Sequence, residues 1–170
     1  MNRLVLPSFR RYKPSPITSP AACHWLCDRI LSNITSCSSQ ASNNIFFSPN
    51  IFISRKNAGR RRIVNEDELI EKLSRLDFVA YTLEDMSVAD QARLFSQAEI
   101  IVAPHGAGLT NMIFSEKAAI IELFGSGMPL FYFSLAKGLG FQYDFLKCQP
   151  QGEDMRVNYD ELSKLINRFI

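Results

Sequence analysis

The feature that most restricts the fold of this chain is an alternation that starts near residue 50. Short apolar runs rich in β-branched residues are separated there by amphipathic segments with helix-cap signals. This pattern is typical of a parallel sheet whose strands are connected by helices. It predicts an α/β protein with a Rossmann-like parallel sheet and helices on both faces. The predicted strands cover residues 50–54, 78–81, 100–103, 119–124 and 142–146.

The predicted helices connect these strands and follow the last one. Asn65 precedes three acidic residues, which suit the positive end of a helix, so we predict that Asn65 is a cap. Ser87 stands three residues before Asp90, a spacing like that of a capping box, and predicts a second helix start. The predicted helices cover residues 66–76, 88–97, 109–114, 130–139 and 159–169.

Residues 1–48 are rich in Pro and Ser, and prolines prevent any long element before about residue 20. Ser19 and Pro20 then start a predicted amphipathic helix over residues 20–32. A polar surface loop is expected from 35 to 44. We assign residues 1–48 to the same domain as the Rossmann-like region at 49–170. The predicted apolar stripe of the helix consists of Ala22, Trp25, Leu26, Ile30 and Leu31.

The size and charge of the chain limit its partners. Its 170 residues fit one domain, since domains typically have about 100–200 residues. A net charge of +2 gives no global attraction to nucleic acid or to a membrane surface. The sequence has neither an apolar run of about 18 residues nor the apolar region of a signal peptide. We therefore expect a cytoplasmic protein.

The four cysteines, Cys23, Cys27, Cys37 and Cys148, have neither the density of a disulfide scaffold nor the spacing of a zinc site. We expect free thiols in a reducing compartment. His24 lies between two of them, but it is off the helix face that Cys23 and Cys27 share. A metal site there is not expected.

The loop at residues 104–108 carries the strongest chemical signal. It follows a predicted strand and precedes a predicted helix, and in open parallel sheets ligands bind beyond the carboxyl ends of the strands. Glycines let the backbone approach a ligand, and free N–H groups at a helix start attract phosphate. The alternative is a tight turn without a ligand. The residues predicted to hold a diphosphate are His105, Gly106, Ala107, Gly108, Leu109, Thr110 and Asn111.

Two charged residues follow other strands toward the same edge. Arg55 comes directly after the first strand, where a guanidinium can hold a pyrophosphate with paired hydrogen bonds. Glu122 lies near the end of the fourth, where a carboxylate can accept hydrogen bonds from two ribose hydroxyls. The alternatives are a salt-bridged surface arginine and a solvated acid. The convergence of Arg55, His105 and Glu122 predicts a nucleotide site.

The segment from residue 55 to 62 contains five basic residues, which indicates an anionic partner. RNA is one alternative, but the sequence has no aromatic-rich binding surface and no RNA-binding motif. Nucleic acid is therefore not expected.

Several segments, in order across residues 50–146, resemble glycosyltransferase family 61. The segment from His105 to Thr110, His-Gly-Ala-Gly-Leu-Thr, is the most specific of them. The others are Ile53-Ser54-Arg55, Arg61-Arg62, Asn65-Glu66, Glu122-Leu123-Phe124, Tyr132-Phe133 and Leu135-Ala136.

The resemblance implies a GT-B architecture of two Rossmann-like domains, of which this chain matches the C-terminal, donor-binding one. It also implies inverting transfer of a sugar such as N-acetylglucosamine, xylose or arabinose from UDP to a glycan acceptor, without a metal or other cofactor. Bacterial relatives are often linked to capsular or surface polysaccharides. The implied donor site comprises Arg55, Arg61, residues 105–111 and Glu122, with His105 as the catalytic candidate.

Such an enzyme needs more than about 300 residues at roughly 150 per domain. We therefore expect a missing N-terminal acceptor domain or a partner chain. The alternative is a non-catalytic remnant or subunit that binds a nucleotide-sugar and transfers nothing.

Overall fold

A computed structural model of the chain describes residues 19–37 and 46–170. A sheet of five parallel strands lies at its centre. All five strands lie where the sequence predicts them, with bounds that differ by one residue at most. They are β1 Asn50–Ile53, β2 Phe78–Tyr81, β3 Ile100–Pro104, β4 Ala119–Phe124 and β5 Gln142–Lys147.

The strand order is β2-β1-β3-β4-β5. The chain runs from β1 outward to β2, returns to the other side of β1 for β3, and continues outward to β5. Phe52 is therefore aligned with Ala80 on one side and with Val102 on the other. In such a doubly wound sheet the order reverses between β1 and β3, and a crevice opens there at the carboxyl ends of the strands.

Helices cover both faces of the sheet. The described part of the chain contains α1 Pro20–Cys37, α2 Glu66–Ser74, α3 Val88–Gln97, α4 Phe131–Gly138 and α5 Tyr159–Ile166, with 3₁₀ helices at Leu83–Asp85 and Ala107–Phe114. None of the helices in residues 19–37 and 46–170 combines the length and the apolar character that a membrane crossing requires.

Two separate cores hold these layers together, because successive side chains of a strand point to opposite faces. Ile51 and Ile53 of β1 pack with α3, α4 and the helix Ala107–Phe114. Phe52, between them, packs on the other face with α2 and α5. The predicted α/β class and the placement of helices on both faces are confirmed.

Helix α1 packs on the first core, and the predicted stripe is right at Ile30 and Leu31 but wrong at Ala22, Trp25 and Leu26. Trp25 is 65% exposed and Leu26 is 42% exposed. The face that packs is rotated relative to the prediction, because small thiol side chains fill the apolar positions. Its members are Cys23, Cys27, Ile30, Leu31 and Ile34.

The helix also continues through Cys37, so the start of the predicted loop 35–44 is helical. The rest of that loop, from residue 38, and the proline-rich residues 1–18 lie outside the described part of the chain.

The two predicted helix caps have different outcomes. Ser87 Oγ accepts a hydrogen bond from the Asp90 N–H at 3.1 Å, which confirms that cap. Asn65 makes no side-chain cap. Its amide instead donates to the carbonyl of Val157 and accepts from the N–H of Val157, both at 3.0 Å. A distant backbone segment thus uses both hydrogen-bonding groups of Asn65.

A short antiparallel hairpin near the end of the chain was not predicted. Its strands are β6 Gln149–Gln151 and β7 Asp154–Arg156. Met155 of β7 exchanges backbone hydrogen bonds of 2.9 Å with Arg62 and Val64. The hairpin therefore fixes the end of the basic segment that follows β1.

Candidate functional site

The segments that follow β1 and β3 meet at the switch point of the sheet. Arg55 begins the first segment and His105 begins the second. A groove of about 340 Å³ opens between these segments and the 3₁₀ helix Leu83–Asp85. We call it the switch-point groove. Its lining residues are Ile53, Ser54, Arg55, Leu83, Glu84, Gln91, Ala107, Gly108 and Asn111.

A larger cavity, of about 690 Å³, lies at the opposite edge of the sheet. It is lined by the first residues of β1, β3, β4 and β5 and by the chain end at Ile170. Ligands of open parallel sheets bind at the carboxyl ends of the strands. We therefore place the candidate site in the switch-point groove.

Arg55 is half-buried, and its guanidinium lies directly against the backbone of Gly106. A Cβ atom at residue 106 would be 2.3 Å from Arg55 Nη1, so any side chain there would displace the guanidinium. Nη2 makes a long hydrogen bond of 3.4 Å to the Arg60 carbonyl, whereas the buried Nε has no partner in the described part of the chain. Burial, followed by the charge of Arg61, lowers the pKa of Arg55.

This placement argues against a salt-bridged surface arginine. Arg55 forms no ion pair within residues 19–37 and 46–170. A half-buried cation with an unpaired N–H group is suited to an anion that binds from the groove.

The glycine loop continues into a 3₁₀ helix that begins at Ala107, rather than an α-helix from Leu109. Leu109 and Met112 are buried three residues apart, a spacing that matches three residues per turn. Leu109 donates its N–H to the Gly106 carbonyl at 3.0 Å, so it contributes packing rather than a free donor. The N–H groups of Ala107 and Gly108 have no backbone partner among the described residues. These two amides remain available to phosphate oxygens.

Asn111 and Thr110 do not share one role. Asn111 Nδ2 donates to Gln91 Oε1 at 2.8 Å, and Gln91 in turn donates to the carbonyls of Leu83 and Met86. Asn111 therefore joins the two walls of the groove, and its amide group is already paired. Thr110 is exposed on the same helix.

Arg61 also contacts this site, because its side chain forms a hydrogen bond with the backbone of His105. Its Nη1 donates to the carbonyl of His105 at 3.1 Å. Its φ angle of 59° lies in the left-handed region, which is uncommon for a residue with a side chain. The Arg61 N–H donates to the Glu153 carbonyl at 3.0 Å, so the β6–β7 hairpin holds this conformation.

The neighbouring Arg62 anchors the segment from outside. Its Nη2 lies 2.7 Å from Asp154 Oδ2, and its backbone N–H donates to Asp154 Oδ1 at 3.0 Å. These hydrogen bonds lower the pKa of Asp154. Not every basic residue of the segment thus faces a ligand, and the sequence did not indicate Asp154 as a partner.

Glu122 lies elsewhere than the sequence suggests. Its side chain is 0% exposed. One carboxylate oxygen contacts His105 Nδ1, and the other accepts a hydrogen bond of 2.5 Å from the Tyr143 hydroxyl. It is therefore not the solvent-facing acid that would accept hydrogen bonds from ribose. The signal for this was its position: Glu122 shares a strand face with Ile120, which packs in the first core.

A second buried acid lies beneath the segment that follows β1. Glu66, the first residue of α2, accepts a hydrogen bond from the Ser54 hydroxyl, and its other oxygen has no partner among the described residues. Ser54 Oγ also accepts from the Lys56 N–H at 3.2 Å. Glu66 and Ser54 thus fix the turn that presents Arg55.

The described residues contain no group of three or more His, Cys, Asp and Glu side chains that could hold a metal ion. Cys23 and Cys27, considered above with His24, pack against the first core.

Comparison with known families places this site in context. A family model described as glycosyltransferase 61 matches residues 3–121, well over half of the chain. The chain belongs to glycosyltransferase family 61. The matched range includes Arg55, Arg61 and the glycine loop, and it stops one residue before Glu122.

Two curated relatives are glycosyltransferases with named reactions. The chain is 30% identical over 117 residues to the EGF domain-specific O-linked N-acetylglucosamine transferase of Bos taurus, covering 63% of this chain and 22% of the relative. It is 35% identical over 107 residues to protein O-linked-mannose beta-1,4-N-acetylglucosaminyltransferase 2 of Xenopus tropicalis, covering 58% and 19% respectively. The matched part of the chain thus spans about a fifth of the length of these family 61 proteins.

Proposed function

We propose that this chain binds a UDP-sugar in the switch-point groove and forms the donor-binding part of a glycosyltransferase. The observation that carries this proposal is Arg55, a half-buried cation whose Nε is unpaired and whose guanidinium lies on Gly106. The unpaired amides of Ala107 and Gly108 are on the next turn. A diphosphate would give partners to all of these donors.

Glu84 is the acid best placed to accept hydrogen bonds from the ribose hydroxyls in this proposal. It is exposed and lines the same groove as Arg55. Its charge is close enough to raise the pKa of Arg55, in opposition to burial. Glu84 thus replaces the buried Glu122 in the ribose role that the sequence suggested.

Metal-independent transfer is the second part of the proposal. Negative charge that develops on the departing diphosphate needs fixed positive groups close by. Arg55 and the amides of the 3₁₀ helix supply them, and Arg61 adds positive potential next to His105. Inversion at the anomeric carbon and the GT-B arrangement remain predictions from the family.

N-acetylglucosamine is the sugar we propose, and a protein-linked acceptor is favoured over a surface polysaccharide. The support is the reaction for which both relatives are named, since each is an N-acetylglucosamine transferase with a protein-linked acceptor in its name. The acceptor-binding part belongs, in this proposal, to a further domain or a partner chain. The cytoplasmic location expected from the sequence remains a prediction.

Calorimetric titration of the full 170-residue chain with UDP, UMP and UDP-N-acetylglucosamine tests the donor site. UDP should bind more tightly than UMP, and equally well with Mg²⁺ or with a chelator. Arg55→Ala should lower the affinity for UDP about tenfold or more while changing UMP binding less, because a guanidinium–phosphate pair is lost. Arg75→Ala, which removes an exposed arginine that follows α2 and is paired with Glu71, is the matched control.

Absence of UDP binding, or equal losses in both arginine variants, would refute the donor site. A non-catalytic remnant or subunit, which binds a nucleotide-sugar and transfers nothing, is the competing function. Hydrolysis of UDP-N-acetylglucosamine by the purified chain separates the two, since a remnant binds UDP and releases no sugar.

A further inference from the structure

Behind the glycine loop, three side chains from three neighbouring strands form a continuous chain of contacts. His105 follows β3, Glu122 lies in β4 and Tyr143 lies in β5. The register aligns Glu122 with Ala103, two residues before His105, and Ile120 with Tyr143. We call these residues the His–Glu–Tyr cluster.

Glu122 has two partners and no contact with solvent. Replacing an apolar core residue by a carboxylate is costly unless hydrogen bonds compensate for the lost water. Here the Tyr143 hydroxyl donates to one oxygen, and His105 Nδ1 contacts the other. Burial, and then the hydrogen bond to Glu122, raises the pKa of Tyr143, so that hydroxyl keeps its proton and remains a donor.

The imidazole of His105 is held on its faces as well as at its Nδ1 edge. The Phe124 ring stacks on the imidazole with 5.5 Å between the ring centroids and an interplanar angle of 26°. The centroid of the Tyr132 ring of α4 lies 5.3 Å from that of the imidazole. Arg61 binds the His105 carbonyl, and Arg55 lies on the next residue, Gly106. The side chain remains 13% exposed, and its Nε2 has no hydrogen-bond partner among the described residues.

We propose that Glu122 and Tyr143 are positioning residues that hold His105 as the Nδ1–H tautomer and leave Nε2 as the nitrogen that meets the substrate. An ionised carboxylate accepts hydrogen bonds at both of its oxygens. One oxygen of Glu122 accepts from the Tyr143 hydroxyl, and the other accepts from His105, so the proton of the His105 contact is on Nδ1. The competing arrangement has a neutral Glu122 that donates to Nδ1, with the ring proton on Nε2.

The charged and titratable groups around the ring favour the first arrangement. They are Glu122 from β4, Tyr143 from β5, Tyr132 from α4, and Arg55 and Arg61 from the segment after β1. The Tyr143 hydroxyl already donates to one oxygen of Glu122, so the second oxygen is best matched by a further donor, the Nδ1–H of His105.

The substrate side of this inference rests on the proposed function. If a diphosphate occupies the groove, it approaches Ala107 and Gly108, which begin two residues after His105. Nε2 is then the ring atom free to exchange a hydrogen bond or a proton with it, while Nδ1 stays on Glu122.

Nitrogen NMR of the chain labelled with ¹⁵N-histidine tests the tautomer without requiring activity. The chain has two histidines, and the exposed His24 is an internal reference. At pH 8 we expect His105 to show a protonated Nδ1 and an unprotonated Nε2. Glu122→Gln should convert most of His105 to the Nε2–H form that predominates in free histidine. Tyr143→Phe, which keeps the ring beside Phe133, should convert a smaller fraction.

A wild-type His105 with its proton on Nε2, or a tautomer unchanged in both variants, overturns the proposal. If Glu122→Gln does not fold, the wild-type spectrum and Tyr143→Phe still decide it. Addition of UDP should move the Nε2 resonance and leave Nδ1 in place. If UDP binds by calorimetry but Nε2 does not respond, the substrate side of the inference fails while the donor site stands. If UDP does not bind, the proposed function fails while the tautomer remains measurable.

Discussion

The switch-point groove and the His–Glu–Tyr cluster lie on either side of one peptide bond, between His105 and Gly106, yet they are built in opposite ways. In the groove, Arg55 Nε and the amides of Ala107 and Gly108 lack partners among the described residues. In the cluster, both oxygens of Glu122 are paired. Unpaired polar groups suit a region that receives a ligand, whereas fully paired ones suit a region that holds a side chain in place.

The two regions should also differ in what they contribute to stability. A buried polar group without a partner costs about 1–3 kcal/mol of folding free energy, and a paired one stabilises the fold modestly. Arg55 Nε therefore adds no hydrogen bond to the stability of the free protein, and a bound anion would give it a partner. Glu122 and Tyr143 need no ligand to be satisfied.

The largest effect is expected from removing Glu122. Glu122→Ala leaves a cavity and two unpaired groups, Tyr143 Oη and His105 Nδ1, so the free energy of unfolding should fall by about 3 kcal/mol. Arg55→Ala should change it by less than about 1 kcal/mol, because Nε is unpaired in the free chain. Urea unfolding followed by circular dichroism measures both.

Arg75→Ala is the control for the loss of an arginine, since Arg75 follows α2 and its side chain is exposed. Equal destabilisation by Glu122→Ala and Arg55→Ala would contradict the contrast between the two regions. So would a stability of Glu122→Ala close to that of the wild type.

The second prediction concerns the close approach of Arg55 to the glycine loop. Gly106→Ala places a methyl group where Arg55 Nη1 now lies, because the two atoms would be 2.3 Å apart. The guanidinium must move, and the affinity for UDP should fall about tenfold, or about 1.4 kcal/mol. Calorimetric titration of the variant with UDP measures this loss.

Gly59→Ala, in the segment between β1 and α2, is the matched control. A Cβ atom there meets nothing within 4 Å, so UDP binding should be unchanged. If Gly106→Ala binds UDP like the wild type, Arg55 does not hold the diphosphate from its present position.

The sequence predicted the sheet well, and it predicted that Arg55 and the glycine loop lie at one edge of it, because both depend on short-range patterns. The strands are apolar runs bounded by loops, and residues that follow parallel strands meet at one edge whatever the details. Arg55 and His105 were placed together on that reasoning, and the structure brings them together through Gly106. The glycine loop was recognised from its glycines and from its place between a predicted strand and a predicted helix.

The parts that were missed depend on long-range partners. Asn65 is a residue type that often caps helices, but its side-chain amide forms two hydrogen bonds with the backbone of Val157, which lies far along the chain. Strand alternation predicts the direction of the Glu122 side chain only when it is known which face of the sheet α4 covers. The stripe of α1 was partly misplaced because Cys23 and Cys27 were considered as thiols rather than as apolar side chains.

The smallest effect is expected at the ion pair between Arg62 and Asp154, which lies outside both regions. Arg62 lowers the pKa of Asp154, so the Asp154 carboxylate becomes protonated at a higher pH in the unfolded chain than in the folded chain. The stability that the pair contributes is therefore present above the ordinary carboxyl pKa of about 3.9 and is lost as the pH falls below it. Asp154→Asn should make the loss of stability between about pH 4 and pH 2 shallower than in the wild type.

The exposed Asp85, replaced by Asn, is the control in these acid-unfolding curves. UDP affinity at neutral pH should fall by no more than about twofold in Asp154→Asn, because an exposed ion pair contributes little and Arg61 keeps its own bonds to Glu153 and His105. A loss as large as that in Gly106→Ala would mean that the groove depends on its outer anchor. The ligand-binding region would then have to include the β6–β7 hairpin in addition to the switch-point groove.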